Sequence, residues 1–361
     1  MRIGLIVNPI AGMGGPLGFK GTDNDTYLAA VELGAVRTSP VAAKRAVSSI
    51  REDISFISVK GMGSEVLDDL KIPHETISVI NRNTNASDTK ASAKLMEKAC
   101  DLILFCGGDG TARDVFDAVG RNIPVLGIPA GVKMHSAVFA TTPEDIPEIV
   151  HMFADNHAKL TDREVMDIDE ACLADGFLSA KLYGYMSVPY VPARVQSSKG
   201  IYGGSDEEAE TDEVAEYVIS EMRNDTLYLI GPGGTACRIL EMLDLDHTVL
   251  GTDALFNGKI IEKDLNETRL KETIGKYERT VLILGIIGKQ GFFLGRGNKE
   301  ISPSVIRMIG IDNIVLVSSR TKLNDLDELH VDTGDPELDK EFKGYRKVTC
   351  GYARERMVKV V

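Results

Sequence analysis

The stretch "DLILFCGGDGTARDVFDAVG" (Asp101–Gly120) decides how this chain is read. A short apolar run, Leu102–Cys106, stops at Gly-Gly-Asp-Gly-Thr, and a helical pattern follows at once. Such a run bounded by a glycine turn predicts a buried strand. Gly107, Gly108 and Gly110 permit unusual backbone angles and let a ligand approach the main chain. The first N–H groups of the next helix lack intrahelical partners and carry partial positive charge, so they suit phosphate. Asp109 sits among them, and Thr111 opens the helix. Two readings fit Asp109: a capping aspartate in a tight turn, or a group that accepts a hydroxyl proton during phosphoryl transfer. The turn is not a P-loop, since no Gly-Lys-Ser/Thr follows.

The strand–turn–helix unit recurs on both sides. "RIGLIVN" (Arg2–Asn8), "ISFISV" (Ile54–Val59), "TISVI" (Thr76–Ile80) and "IPVLGIP" (Ile123–Pro129) read as strands with helices between them. One of those helices has Ser39 as its expected N-cap and Pro40 at its first position. Apolar strands alternating with helices predict a parallel sheet covered on both faces, with ligands outside the carboxyl ends of the strands. From Asp162 to Val195 short alternating runs predict antiparallel strands. Later, Asn257-Gly258 is a hairpin signal. "VLILGIIGKQGFFLGRGN" reads as two strands around glycines, and Ser302-Pro303 and Asp335-Pro336 open helices. The fold class is therefore α/β. A Rossmann-like parallel-sheet domain is expected over 1–155 and a second, largely β (mixed α/β) domain over 156–320. The strands of the segment 321–361 fit either domain, including a return to the first.

Three further turns resemble the first in kind. "VNPIAGMGG" offers Asn8, Gly12 and Gly14, and "GIPAGVKMHSAVFA" offers Gly131, Lys133 and His135. His135 reads equally as a satisfied polar residue. "LYLIGPGGTACR" echoes "LILFCGGDGTAR", with Gly233 in place of Asp109 and with Gly234 and Thr235 matching Gly110 and Thr111. Lys289 and Arg296 lie on the glycine-rich "GKQGFFLGRGNKE", read as a hairpin whose cations suit phosphate. Turns that follow successive parallel strands line one edge of the sheet, so their convergence weighs more than any one of them.

Composition narrows the function. The 361 residues carry a formal net charge of -13, which argues against a nucleic-acid or anionic-membrane binder. A local set of donors can still hold an anionic small ligand. The N-terminus does not read as a signal peptide, and the longest apolar run, Val281–Ile287, is too short to span a bilayer. Five cysteines without a C-x-x-C pair predict reduced thiols and a cytoplasmic setting. No histidine spacing or carboxylate cluster defines a protein-only metal site.

"FCGGDGTARDV" with "VNPIAGMGG" resembles the superfamily of NAD kinases, diacylglycerol/sphingosine lipid kinases and 6-phosphofructokinases. "GIPAGVKMHSAVFA", "GPGGTA", "GKQGFFLGRGNKEISPSVIR" and "VDTGDPELD" resemble more closely the ATP- or polyphosphate-dependent NAD kinase-like proteins of archaea and bacteria, including the AcoX-type group. The resemblance implies an α/β first domain, a largely β second domain and an active site between them. It implies that Asp109 activates the ribose 2′-hydroxyl and that Gly107, Gly108 and Gly110 contact nucleotide phosphates. The x-Asn-Glu that follows the signature in lipid kinases is replaced here by Ala112-Arg113-Asp114, and the Asn266-Glu267 pair reads as a helix start. The expectation is a kinase that transfers phosphate from ATP or polyphosphate to a nucleotide hydroxyl, foremost the 2′-hydroxyl of NAD to give NADP, with Mg²⁺ carried on the phosphates. A homo-oligomer, dimer or tetramer, is expected. The alternatives are a kinase of a sugar-phosphate or lipid hydroxyl and a non-catalytic nucleotide-binding regulator.

Overall fold

A computed structural model of the chain describes residues 1–19, 25–80, 84–131, 134–168, 180–192, 194–196 and 205–361. The chain divides into two units, one of Met1–Met13 with Gly21–Ser198 and one of Gly14–Lys20 with Lys199–Val361.

In the first unit the apolar runs become strands and the intervening segments become helices. In chain order these are β1 (Arg2–Val7), α1 (Asp25–Glu32), α2 (Ser39–Val47), β2 (Ser55–Lys60), α3 (Ser64–Asp69), β3 (His74–Val79), α4 (Ala86–Met96), β4 (Leu102–Gly107), α5 (Asp109–Val119), β5 (Val125–Pro129), α6 (Ile146–Ala154), β6 (Lys159–Ile168) and β7 (Ala180–Tyr190). The sheet order is β3-β2-β1-β4-β5, and every neighbouring pair is parallel. Every residue of β4 and β5 is buried, as expected for strands covered by helices on both faces. Edge strand β3 has no fully buried residue, because it packs on one side only.

The order has a functional consequence. The chain leaves β1 toward β2 on one side and enters β4 on the other, so β1 and β4 flank the point where the winding reverses. Open α/β sheets bind ligands there, outside the carboxyl ends of the strands. The turns that follow β1 and β4 are the two carrying Asn8 and Asp109.

Strands β6 and β7 form the antiparallel pair expected from the alternating runs. They belong to the first unit, so the division falls near residue 198 rather than 155. The reason is local: Val165, Met186 and Val188 enter the first core, and the segment after β5 bonds to β6 through Ala137 N to Glu164 O at 2.9 Å.

The second unit contains α7 (Ser205–Glu221), β8 (Leu227–Ile230), α8 (Gly234–Met242), β9 (Asp253–Phe256), β10 (Lys259–Glu262), α9 (Glu267–Ile274), β11 (Thr280–Gly285), β12 (Phe292–Leu294), α10 (Pro303–Ile309), β13 (Ile314–Val317), α11 (Arg320–Asn324), β14 (His330–Val331), α12 (Pro336–Phe342), β15 (Gly344–Gly351) and β16 (Arg354–Val360). Its sheet runs β10-β9-β8-β11-β13-β15-β16. The central strands β8, β11, β13 and β15 are parallel, and β9, β10 and β16 are added antiparallel. The unit is thus a mixed α/β layer structure. The segment 321–361 lies within it, with β15 and β16 closing one side of the sheet.

Several local expectations hold. Asn257 and Gly258 take φ of 48° and 73° and turn β9 into β10. Ser302 and Asp335 cap α10 and α12, and Asn266 caps α9 by accepting from Arg269 N. Two expectations fail. Thr38, not Ser39, precedes the first residue of α2, and the Ser39 hydroxyl instead donates to the Asn8 carbonyl at 2.5 Å. Strands β11 and β12 do not form a hairpin: β12 pairs in parallel with β14. The glycines around β12 serve that pairing, since a Cβ on Gly291 would lie 2.7 Å from the Glu328 carbonyl.

Candidate active site

Asp109 is the first residue of α5 and is only 7 % exposed. Its carboxylate accepts three hydrogen bonds from the segment after β5. His135 N donates to Oδ2 at 2.7 Å, Ser136 N donates to Oδ1 at 3.0 Å, and His135 Nδ1 lies 3.2 Å from Oδ2. A carboxylate offers only acceptors, so the proton of that last bond sits on Nδ1. His135 is 4 % exposed, and its Nε2 is buried with no partner among the described residues. Asp109 is therefore no simple helix cap: its bonds reach across to the β5 turn.

The β1 turn joins the same corner. Asn8 Nδ2 donates to Thr111 Oγ1 at 3.0 Å, and Asn8 Oδ1 accepts from Ile10 N at 3.3 Å. Thr111 is buried in the first turn of α5. Asn8, Asp109, Thr111 and His135 are thus connected through side-chain bonds and helix geometry, and the turns after β1, β4 and β5 meet.

The glycines of this corner fall into two groups. Gly12 has φ of 75°, and a Cβ there would collide with the Ala130 carbonyl oxygen. A Cβ on Gly107 would run into the Thr111 side chain, and one on Gly131 would lie 2.7 Å from the Gly108 Cα. Those three glycines are demanded by packing. Gly110 is exposed, and a Cβ there would meet nothing within 4 Å. It leaves the N-terminal end of an eleven-residue helix uncovered, where N–H groups favour an anion. Lys133 lies outside the described residues. Gly14 is grouped with the second unit, where it precedes the short 3-10 turn Gly15–Leu17.

Within the second unit the echo motif forms the same local device. Gly233 has φ of 117° and caps α8, while Gly234 opens the helix with free space at its Cβ position. Thr235 is buried and accepts from Lys322 Nζ at 3.1 Å, and that ammonium also pairs with Glu207 at 3.0 Å. Lys322 and Glu207 are far from the motif in sequence, and no pattern in the sequence marks them. Lys289 is exposed in a positive-φ turn. Arg296 is committed elsewhere: it pairs with Asp332 at 3.0 Å and stacks on the Phe292 ring at 4.5 Å, with 4 % of its surface exposed. Arg296 thus ties β12 to the segment after β14 and is not presented as a phosphate contact.

Other groups near these motifs are chemically quiet or perturbed by burial. Burial pushes the Cys237 thiol up to about 11, so it stays protonated and is a poor nucleophile. Burial also raises the Asp114 carboxyl on α5 to about 6, against the opposing pull of Lys90 and Arg113. Among the described residues, no group of three or more His, Cys, Asp or Glu side chains is disposed to hold a metal ion. No helix among them is long and apolar enough to cross a membrane.

Residues 3–158 match the family model of the ATP-NAD kinase N-terminal domain. Residues 223–360 match the model of the ATP-NAD kinase C-terminal domain. No curated protein and no solved structure gives a significant match. With both domain models in order and together covering most of its length, the chain belongs to the NAD kinase family, whose members are enzymes that phosphorylate a hydroxyl.

Proposed function

We propose that the protein transfers a terminal phosphoryl group from ATP or polyphosphate to the 2′-hydroxyl of NAD, giving NADP. The observation that carries this reading is the buried Asp109 carboxylate, held by His135 and Ser136 beside the open N-terminus of α5. A carboxylate placed among phosphate-binding donors weakens anion binding, so a protein that only bound nucleotide would gain by lacking it. A kinase needs it, because the acceptor hydroxyl must lose a proton as the phosphoryl group arrives. Gly108, Gly110 and the α5 N–H groups are assigned to phosphate, with Gly107 and Gly131 packing the turn and Asn8 and Thr111 fixing it. Gly233, Gly234, Thr235 and Lys289 of the second unit are assigned to a nucleotide on the strength of the echo and the family match.

Mg²⁺ would travel on the donor phosphates and offset the charge of the transferring group. The protein's own contribution is then positioning and charge stabilisation, as in other phosphoryl transfers. The polyphosphate option rests on the resemblance of the later motifs to the polyphosphate-using group. The test is a panel of NAD, NADH, a sugar phosphate and diacylglycerol, each with ATP–Mg²⁺ and with polyphosphate. NAD or NADH is expected to turn over; exclusive turnover of another acceptor would replace the substrate but keep the reaction.

A further inference from the structure

The sheet of the second unit has two ends, and the glycine turn of the echo motif lies at only one, after β8. At the opposite end a cavity of about 620 Å³ opens beside the starts of the parallel strands. Thr226 and Asn313, which line it, precede β8 and β13, and Thr280 is the first residue of β11. The extended chain from Thr226 to Gly231 spans about 16 Å at the rise of a strand, so cavity and turn are separate places. The volume suits a small ligand. Tyr217 of α7 and Tyr277 after α9 supply ring faces. Each ring is held by a neighbour, Tyr217 by Tyr352 at 5.8 Å and Tyr277 by Phe256 at 4.6 Å. Two hydroxyls in the lining are unspent. Thr280 Oγ1 is buried with no hydrogen-bond partner among the described residues. Tyr228 is 8 % exposed, and its hydroxyl accepts from Arg223 N at 2.8 Å, which leaves its own proton without an acceptor among the described residues. Buried polar groups are nearly always paired, and a ligand atom that bonds them removes that cost. Arg223 and Arg279 are exposed at the rim, and neither guanidinium has an ion pair or hydrogen bond among the described residues. The Glu221 and Glu278 carboxylates share the lining and are likewise unpaired among them.

We propose that this cavity is a second ligand site, for a molecule with the chemistry of a nucleoside monophosphate: a planar ring, hydroxyl donors and one phosphate. The ring lies against Tyr217 and Tyr277, where aromatic faces stack. The polar edge of the base meets the Thr280 and Tyr228 hydroxyls. The phosphate goes to Arg223 and Arg279, since guanidinium groups bind phosphate through paired N–H donors. The sugar hydroxyls donate to Glu221 and Glu278. Those two acids disfavour a bare anion, so phosphate alone is the wrong ligand for this rim. The site does not depend on the kinase reading, because it shares no residue with the glycine turns.

The test is equilibrium dialysis of the full chain against adenosine monophosphate, adenosine and inorganic phosphate, with melting temperatures taken alongside. The wild type is expected to bind adenosine monophosphate about tenfold or more tightly than either fragment. Replacing both arginines, Arg223→Gln with Arg279→Gln, should weaken adenosine monophosphate by about tenfold or more. Thr280→Val should weaken adenosine monophosphate and adenosine alike by about threefold or more. Without ligand its melting temperature should hold or rise, because valine keeps the shape and removes the orphaned hydroxyl. A hydroxyl with a structural role would instead lower the melting temperature. Adenosine monophosphate held solely at the glycine turns would bind all these variants as it binds the wild type, and that result overturns the proposal. So does a wild type that binds no adenosine monophosphate, or one that binds inorganic phosphate equally well.

Discussion

Glycine is the residue that best separates structure from function here. Gly107→Ala puts a methyl into the Thr111 side chain, and Gly131→Ala puts one 2.7 Å from the Gly108 Cα. Each should cost about 1–3 kcal/mol by overpacking, read as a lower urea midpoint at unchanged slope. Gly110→Ala should behave oppositely. Nothing lies within 4 Å of its Cβ position, and alanine favours a helix over glycine by about 1 kcal/mol. Its stability should hold or rise while KM for the nucleotide increases, because the methyl covers the end of α5 proposed to face phosphate. An enzyme with unchanged KM would show that phosphate does not sit there. Asp109 and Gly110 were legible in the sequence because the turn is contiguous and its chemistry local. The hydrogen bond from Ser136 N to Asp109 was not, although Ser136 stands next to a residue already singled out. It depends on how the β5 turn folds back, which no local pattern encodes.

At the scale of elements, α5 carries both the site and a test of its electrostatics. Asp114 sits on its buried side, and burial raises its carboxyl to about 6 from an ordinary value near 3.8. The folded state therefore binds this proton more tightly than the unfolded chain. Below about pH 4 the carboxyl is protonated in both states and costs nothing. As pH rises from about 4 to 6 this group's contribution falls, and above 6 its full cost is present, about 2–3 kcal/mol from the size of the shift. Asp114→Asn should raise stability at pH 7 and flatten that part of the profile in denaturant titrations at several pH values. An asparagine variant less stable at pH 7 would mean that the Lys90 pair outweighs the burial cost. The echo motif shows how far elements can be read ahead. The order strand, Gly-x-x-Gly-Thr-Ala, helix was visible twice, and the structure builds both as strand, turn and helix. The partners of the two threonines were invisible, since Asn8 and Lys322 come from distant segments. The glycine-rich run before α10 was misread for the same reason. Its local composition suits a hairpin, but its partner strand β14 lies beyond the next helices.

For the whole molecule, the alternation of strands and helices fixed the class of the first unit and the parallel sheet that places its ligand edge. The division near residue 198 was not visible, because β6 and β7 look like the start of a new antiparallel domain. Only their bonds to the β5 turn and their apolar residues in the first core assign them. The family match over residues 3–158 and 223–360 leaves the linking region between them outside either model. The acidic chain, at -13, makes a salt-sensitive nucleic-acid substrate implausible on charge alone. With that charge, the proposed anion binding rests on placed donors such as the N-terminal ends of α5 and α8. The most direct measurement is NADP formation from NAD with ATP–Mg²⁺ or polyphosphate, by the wild-type protein and by Asp109→Asn matched for unfolding midpoint. The account predicts NADP from the wild type and a rate at least about 100-fold lower from the variant. A wild type that phosphorylates no hydroxyl, or an Asp109→Asn protein that works at the full rate, would contradict it.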